Sequence, residues 1–327
     1  MTATMYSSVD GVDVAYVAGM VRICQLVPTI VTLYDHLITF DQEVELVWNK
    51  PWTIAKVLFF WNRYFGTFFL LAEAVVFSIK PSSDQVCRDW FFIQGWSTAL
   101  IIWSMQSTML FRTFAMFRRN RFVIISCIIC YAIEVCTMVV IMILSFQFID
   151  AINEPFPGIF ICTPYNVPRY MYAFWLPIVV FDCVLFGLAL WAGTQHVKVL
   201  HGLNSPRSSM WEVLLKDSLL YFSVTLTTYI TSAVVWLVVP AHWLELPQGF
   251  SIAGTCVMGV RLVLNLRKAY YMPRPGDIEL ETLDHDWRNP SQVEILSASP
   301  APSSEHSAQL QDVMFVKGDV LRRISGT

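Results

Sequence analysis

The stretch FVIISCIICYAIEVCTMVVIMILSFQF, residues 122–148, decides the fold. It carries a single charged side chain, Glu134. Wound as an α-helix it would extend roughly 40 Å, enough to cross a hydrocarbon core of about 30 Å. In lipid such a run must satisfy its own backbone groups, which only a helix or a closed barrel does. Six more stretches of the same kind flank it, at 14–34, 52–79, 90–117, 170–197, 211–239 and 250–266. The first is the weakest, because Arg22 and Pro28 interrupt it. The expected fold is therefore all-α, an integral membrane seven-helix bundle occupying residues 14–269. An outer N-terminal segment, 1–13, precedes it, and a disordered tail, 270–327, follows.

Composition agrees. Of 327 residues, 55% are hydrophobic and only 14% charged, against about 25% charged in soluble proteins. The net charge of −3 leaves no basic surplus for neutralising phosphates, which excludes a nucleic-acid partner. The partner that composition demands is the lipid bilayer, of the plasma membrane or an endomembrane; oligomeric state is not legible.

Breaks between the spans are chemically sharp. Asn49-Lys50-Pro51 puts a proline where the second helix should begin, a turn at which its missing N–H costs nothing. Four prolines between Asn153 and Pro168 force a structured or extended loop. Orientation follows from the basic residues in short connections. With the N-terminus outside, Lys50, Arg118, Arg119, Arg121, Lys198, Arg207, Arg267, Lys268 and Arg274 fall inside, and only Lys80, Arg88 and Arg169 outside. The expected topology is N-terminus out, C-terminus in. Asp10 and Asp13 replace the basic start of a cleaved leader, so the first apolar segment reads as a retained helix.

Residues 271–327 carry five basic and nine acidic side chains among many Ser and Pro, a composition that cannot bury a core. Within it, Arg322-Arg323-Ile324-Ser325 suits a basophilic kinase, with Ser325 as the acceptor.

Most cysteines lie inside spans and read as small core residues. Cys87 and Cys162 fall in outer, oxidising connections and are the candidate disulfide. The six histidines make no site, and no H-E-x-x-H, P-loop or G-x-S-x-G occurs, so no metal, no cofactor and no enzymatic activity is expected.

Ionisable residues at membrane depth are costly and are functional candidates by default. They are Arg63 and Glu73 on the second helix, Glu134 on the fourth, Asp182 on the fifth and Arg261 on the seventh. The third helix carries a polar stripe of Gln94, Ser97, Ser104, Thr108 and Arg112, and the sixth carries Asp217, Tyr221, Thr225, Thr228 and Ser232. Such stripes serve either interhelical hydrogen bonding or ligand contact, and the sequence leaves both open.

After the first span comes Asp35-His36-Leu37-Ile38-Thr39-Phe40-Asp41-Gln42-Glu43-Val44-Glu45-Leu46-Val47-Trp48. Its periodicity suits an amphipathic helix on the inner surface, yet its acids face anionic lipid. Pairing resolves the conflict. An inner ionic cluster of Asp35, Asp41, Glu43 and Glu45 with Lys56 and Arg63, joined by Arg261 or Arg267, is expected.

That stretch, with Pro51-Trp52, Lys56-Val57-Leu58-Phe59 and Asn62-Arg63-Tyr64 after it, resembles the fungal multi-pass membrane family carrying the domain of unknown function 6533, over about residues 28–66. The resemblance implies architecture and origin and assigns no activity. The plan is also similar to G-protein-coupled receptors at fold level, without their acidic-Arg-Tyr triplet on helix three (here Phe111-Arg112-Thr113) or Asn-Pro-x-x-Tyr on helix seven. No lysine precedes Lys268 on helix seven, which excludes a retinal Schiff base there. The functional expectation is a receptor-like protein that senses a small ligand and signals to a cytoplasmic partner. The alternatives are a small-molecule transporter or channel, or a membrane scaffold. An outward pocket lined by Ser97, Ser104, Thr225 and Thr228 favours sensing; a continuous polar path past Glu73, Glu134 and Asp182 favours transport.

Overall fold

The computed structural model describes residues 11–117, 120–155, 157–203, 209–239 and 243–271. Residues 1–10, Arg118, Arg119, Arg207, His242 and the tail from 272 onward, with Arg274 and Ser325, lie outside them.

The described chain is mostly helical. Helix α1 spans Gly11–Ile38, followed by a short α2, Phe40–Glu43, that opens into a π turn, Val44–Trp48. Next come α3 (Ile54–Phe60), a second π turn (Trp61–Phe65) and α4 (Gly66–Ser78), with no break between them. The remaining helices are α5 (Asp84–Met116), α6 (Arg121–Phe146), α7 (Trp175–Leu203), α8 (Ser209–Val238) and α9 (Gln248–Tyr271).

Helix starts are set by side-chain caps, which satisfy orphan N–H groups. Thr53 Oγ1 accepts from the Lys56 amide at 3.3 Å, so α3 begins at Ile54. Pro51 therefore lies ahead of the helix and not in its first turn, a correction to the sequence reading. Ser83 caps α5 and Asn120 caps α6 in the same way.

Five helical segments are long and apolar enough to cross a membrane: Ala15–Ile38, Arg121–Phe146, Arg169–Thr194, Ser218–Val238 and Gln248–Lys268. The chain is a multi-pass membrane protein. Two more rods run alongside these five, α3–α4 and α5. The first is divided by its π turn, and the second is rich in polar residues. The polarity of α5 has a physical cause, because it touches α3, α4, α6, α7 and α9 and most of its length is covered by protein. Its polar groups meet partners where the outer helices present carbon. Phe68, Ile133, Val180 and Leu237 are each 60–68% exposed on four different helices, a belt that only lipid would cover.

The helices close a ring, α1 on α4 and α9, α4 on α5, α6 on α5 and α7, and α8 on α7 and α9. Close approach is set by Gly259, where a Cβ would collide with Met105, and by Gly66, where one would collide with the Cys256 sulfur. Arg22, the charge that weakens the first span, donates to the carbonyls of Phe77 (3.1 Å) and Phe160 (2.9 Å). It thereby ties the last turn of α4 to the loop after α6.

That proline-rich loop is a two-stranded antiparallel hairpin, β1 (Asp150–Ile152) and β2 (Thr163–Tyr165), with Ala151 opposite Pro164. Cys162, just before β2, is bonded to Cys87 in the first turn of α5, with Cα atoms 5.3 Å apart. The exposed Arg88–Asp150 pair at 3.5 Å adds little beside it.

Candidate functional site

Helices α5 and α7, the hairpin and the segment leading into α9 enclose a cavity of about 60 Å³ at the disulfide end of the bundle. One water needs roughly 10–15 Å³ in this measure, so the space suits a molecule of a few heavy atoms. Five aromatic rings form much of its wall: Phe91, Phe146, Phe174, Trp175 and Trp236. The polar groups are few: Gln94, Thr98, Glu245 and Gln248. An apolar cavity with a few convergent polar groups is the usual build of a small-molecule site.

Gln94 organises the polar side. Its amide nitrogen donates to Glu73 Oε1 on α4 at 2.8 Å and to Glu245 Oε2 at 2.7 Å. Both carboxylates are buried, and Glu73 Oε2 has no hydrogen-bond partner. Glu245 is held by its backbone, whose carbonyl accepts from Gln25 of α1 at 2.8 Å. Gln248 donates to Thr98 at 2.8 Å. Among the described residues no cation pairs with Glu73 or Glu245. Burial pushes the Glu245 carboxyl up to about 7, although the bond from Gln94 pulls the other way.

The sign of the consequence is fixed. An unfolded glutamate ionises near pH ~4.3, so between there and about 7 the folded chain holds a proton that the unfolded chain releases. Stability of the empty protein should fall as pH rises through that window. Glu245→Gln should flatten this part of the curve, as read by thermal unfolding in detergent from pH 5 to 8. Among the described residues, the titratable group that Gln94 joins to Glu245 is Glu73.

Of the polar stripes, only Gln94 lines the cavity. Ser97, Ser104, Thr108, Tyr221, Thr225, Thr228 and Ser232 are not among the residues that line it. Ser104 donates to Asn62 Oδ1 on the π turn between α3 and α4 at 2.6 Å. Thr108, Thr225 and Thr228 bond back to their own helices. Ser232 meets Ser251 of α9 at 2.9 Å, while Tyr229 meets Thr255 at 2.8 Å. These hydroxyls hydrogen-bond within and between helices. Arg112 donates to Ser218 and to the Leu262 carbonyl, joining α5, α8 and α9. The side chain of Asp217 lies outside the described residues.

Glu134 and Asp182 form a separate group around a residue not singled out in the sequence. Gln106 donates to Glu134 Oε1 at 2.8 Å and to Asp182 Oδ1 at 3.3 Å. Gln94 and Gln106 stand about 18 Å apart along α5. Between them Ala99, Ile101, Ile102 and Met105 are buried carbon.

At the opposite end from the disulfide, Arg63 is the hub. Its Nε lies 2.5 Å from Glu43 Oε2, its Nη1 donates to Thr39 Oγ1 at 2.9 Å, and its Nη2 donates to the His36 carbonyl at 2.9 Å. Glu43 Oε1 in turn accepts from Tyr64 at 2.8 Å and the Trp48 indole at 2.9 Å. The π turns re-aim these side chains, since Asn62, Arg63 and Tyr64 all reach partners from one widened turn. Asp35 pairs with Arg261 of α9 at 2.6 Å, and Arg267 donates to the Leu46 carbonyl at 2.8 Å.

Three members of the expected cluster behave differently. Asp41 and Glu45 are exposed and form no ion pair among the described residues, because they lie two residues either side of Glu43 and point away from it. Lys56 meets no carboxylate among the described residues; its ammonium donates to the carbonyls of Trp48 (2.9 Å) and Lys50 (2.7 Å) and sits 4.6 Å from the Trp52 ring. It caps the end of the first π turn.

Residues 23–68 match the model of a family of unknown function, DUF6533. The match covers α1 from Ile23 through the start of α4, and so contains Thr39, Glu43, Trp48, Lys56, Arg63 and Tyr64. The cavity residues on α5, α7 and α9 lie beyond it. No curated protein matches the chain.

Proposed function

We propose that the protein is a receptor-like sensor, a seven-helix bundle with its N-terminus outside, that binds a small ligand in the cavity beneath the hairpin. The observation that carries this reading is the one-ended arrangement of polar groups. The cavity and the Gln94 group occupy the end that bears the disulfide, a bond that belongs on an oxidising face. The other end is filled by the Arg63 hub and by Arg261 and Arg267. Along α5 between Gln94 and Gln106 the Thr98 and Ser104 hydroxyls are taken up by Gln248 and Asn62 among buried carbon, which argues against an open polar path for transport. A ligand at Gln94 would touch α5 and the α9 entry together, with α4 one hydrogen bond away through Glu73, and α9 also carries the inner Arg261 contact to α1. A shift in α9 is then the physical route by which a cytoplasmic partner senses occupancy.

The test is a thermal-shift screen of small polar and ionic compounds on purified protein, followed by uptake assays in proteoliposomes for each compound that stabilises. Stabilisation of several degrees with no uptake above empty liposomes is expected. Saturable uptake of a stabilising compound would replace the sensor with a transporter.

A further inference from the structure

We infer that the cavity takes a small organic ammonium ion, held between the Glu245 carboxylate and the aromatic wall; the inference rests on the outer cavity being the ligand site. Five features point to this class. Two carboxylates, Glu73 and Glu245, are buried within reach of one amide, and Gln94 spends both of its N–H bonds on them. That amide supplies hydrogen bonds but no charge, and no described cation neutralises the pair. A buried carboxylate left this way is costly, and an entering cation removes the cost. Glu73 Oε2 is buried without a partner, so the acceptors outnumber the donors that the chain provides.

The wall supplies the selectivity for an organic ion. Ring faces attract alkylammonium groups through their quadrupoles, more strongly where water is excluded, and the rings of Phe174, Trp175 and Trp236 line the same cavity as Glu245. A bare sodium or potassium ion would have to exchange its water for carbon on that side. Size points the same way. About 60 Å³ accommodates an ion of roughly five heavy atoms, which is the class of tetramethylammonium and shorter amines. Anions are excluded by Glu245 on the lining with Glu73 behind Gln94, and neutral apolar molecules leave both uncompensated.

Proton and ligand then compete for the same carboxylate. Because Glu245 holds its proton up to about pH 7, ammonium binding should strengthen as pH rises, opposite in sign to the stability of the empty protein.

The test uses the full chain in detergent, with tetramethylammonium chloride as probe, tert-butanol as a neutral molecule of the same size, and sodium chloride at matched ionic strength. Tetramethylammonium should raise the unfolding temperature at pH 8 and lose most of that effect at pH 5, while tert-butanol and sodium chloride should not reproduce it. Glu245→Gln should weaken the response at least tenfold in concentration. Trp236→Leu, which keeps the carboxylate and removes a ring, should weaken it for tetramethylammonium more than for methylammonium. An equal shift from tert-butanol or sodium chloride, or an undiminished one in Glu245→Gln, would overturn the ammonium assignment. If neutral compounds stabilise and ammonium ions do not, the ligand class is wrong while the cavity remains the binding site. If no small compound of any class stabilises, the receptor-like reading fails with it.

Discussion

Arg63→Ala should destabilise the protein by about 3–5 kcal/mol, enough to abolish recovery of folded protein from detergent. The side chains of Arg63 and Glu43 are 2% and 0% exposed, so removing the guanidinium leaves a carboxylate buried and unneutralised. The same change removes the donors that Arg63 gives to the Thr39 hydroxyl and the His36 carbonyl. Lysine should rescue poorly, because three directed donors become one point charge. Combining Arg63→Met with Glu43→Gln separates charge from packing. The glutamine keeps an acceptor for Tyr64 and Trp48 and carries no charge, so the double variant should recover much of the yield lost in Arg63→Ala. Size-exclusion recovery and unfolding temperature read both variants. Wild-type stability in Arg63→Ala would remove the hub from the account.

The second large effect is at the other end. Replacing Cys87 and Cys162 by serine should cost about 2–4 kcal/mol, since the bond closes a separation of 75 residues. The lower part of that range applies if α5 and α6 stay helical in the unfolded state. The loss also reaches the cavity, because the hairpin that the bond anchors contributes Pro164 to the lining, and Val167 follows just beyond it. Ligand response should therefore weaken along with stability. Reductant added to the wild-type protein should bring its unfolding temperature down to that of the double serine variant and leave the variant unmoved.

Much of this architecture was legible in the sequence because hydrophobic length and charge placement act locally. Stretches such as 122–148 announce a helix without help from any neighbour, and the pairing of Cys87 with Cys162 follows once both are placed on one side. Glu43 with Arg63 was within reach for the same reason, since only a short inner segment separates them. The sorting of the neighbouring acids was not. Whether Glu43 or Asp41 turns inward depends on the phase of α2 and on a π turn, and neither leaves a mark in hydrophobic periodicity. Gln94 stood out as part of a stripe, but its partners did not. Glu245 sits in a connection that reads as an ordinary outer loop, and only its neighbours Leu244 and Leu246 hint at burial. Gln106 is one amide among many polar residues on α5, and has meaning only after Glu134 and Asp182 are brought to it from two other helices. Long-range convergence of single polar groups is what a one-dimensional reading lacks.

The account stands on the cavity facing outward and ending before the inner hub. The direct measurement is sided chemical modification of Gln248→Cys, in protein whose six free cysteines are replaced and whose Cys87–Cys162 bond is kept. A small cationic, membrane-impermeant thiosulfonate should modify this cysteine from the outside of intact vesicles, faster than an anionic reagent of similar size. The same reagent trapped inside should not reach it, and Gln106→Cys should react from neither side. Modification of Gln248→Cys from the inside would contradict the account and open a path through the bundle.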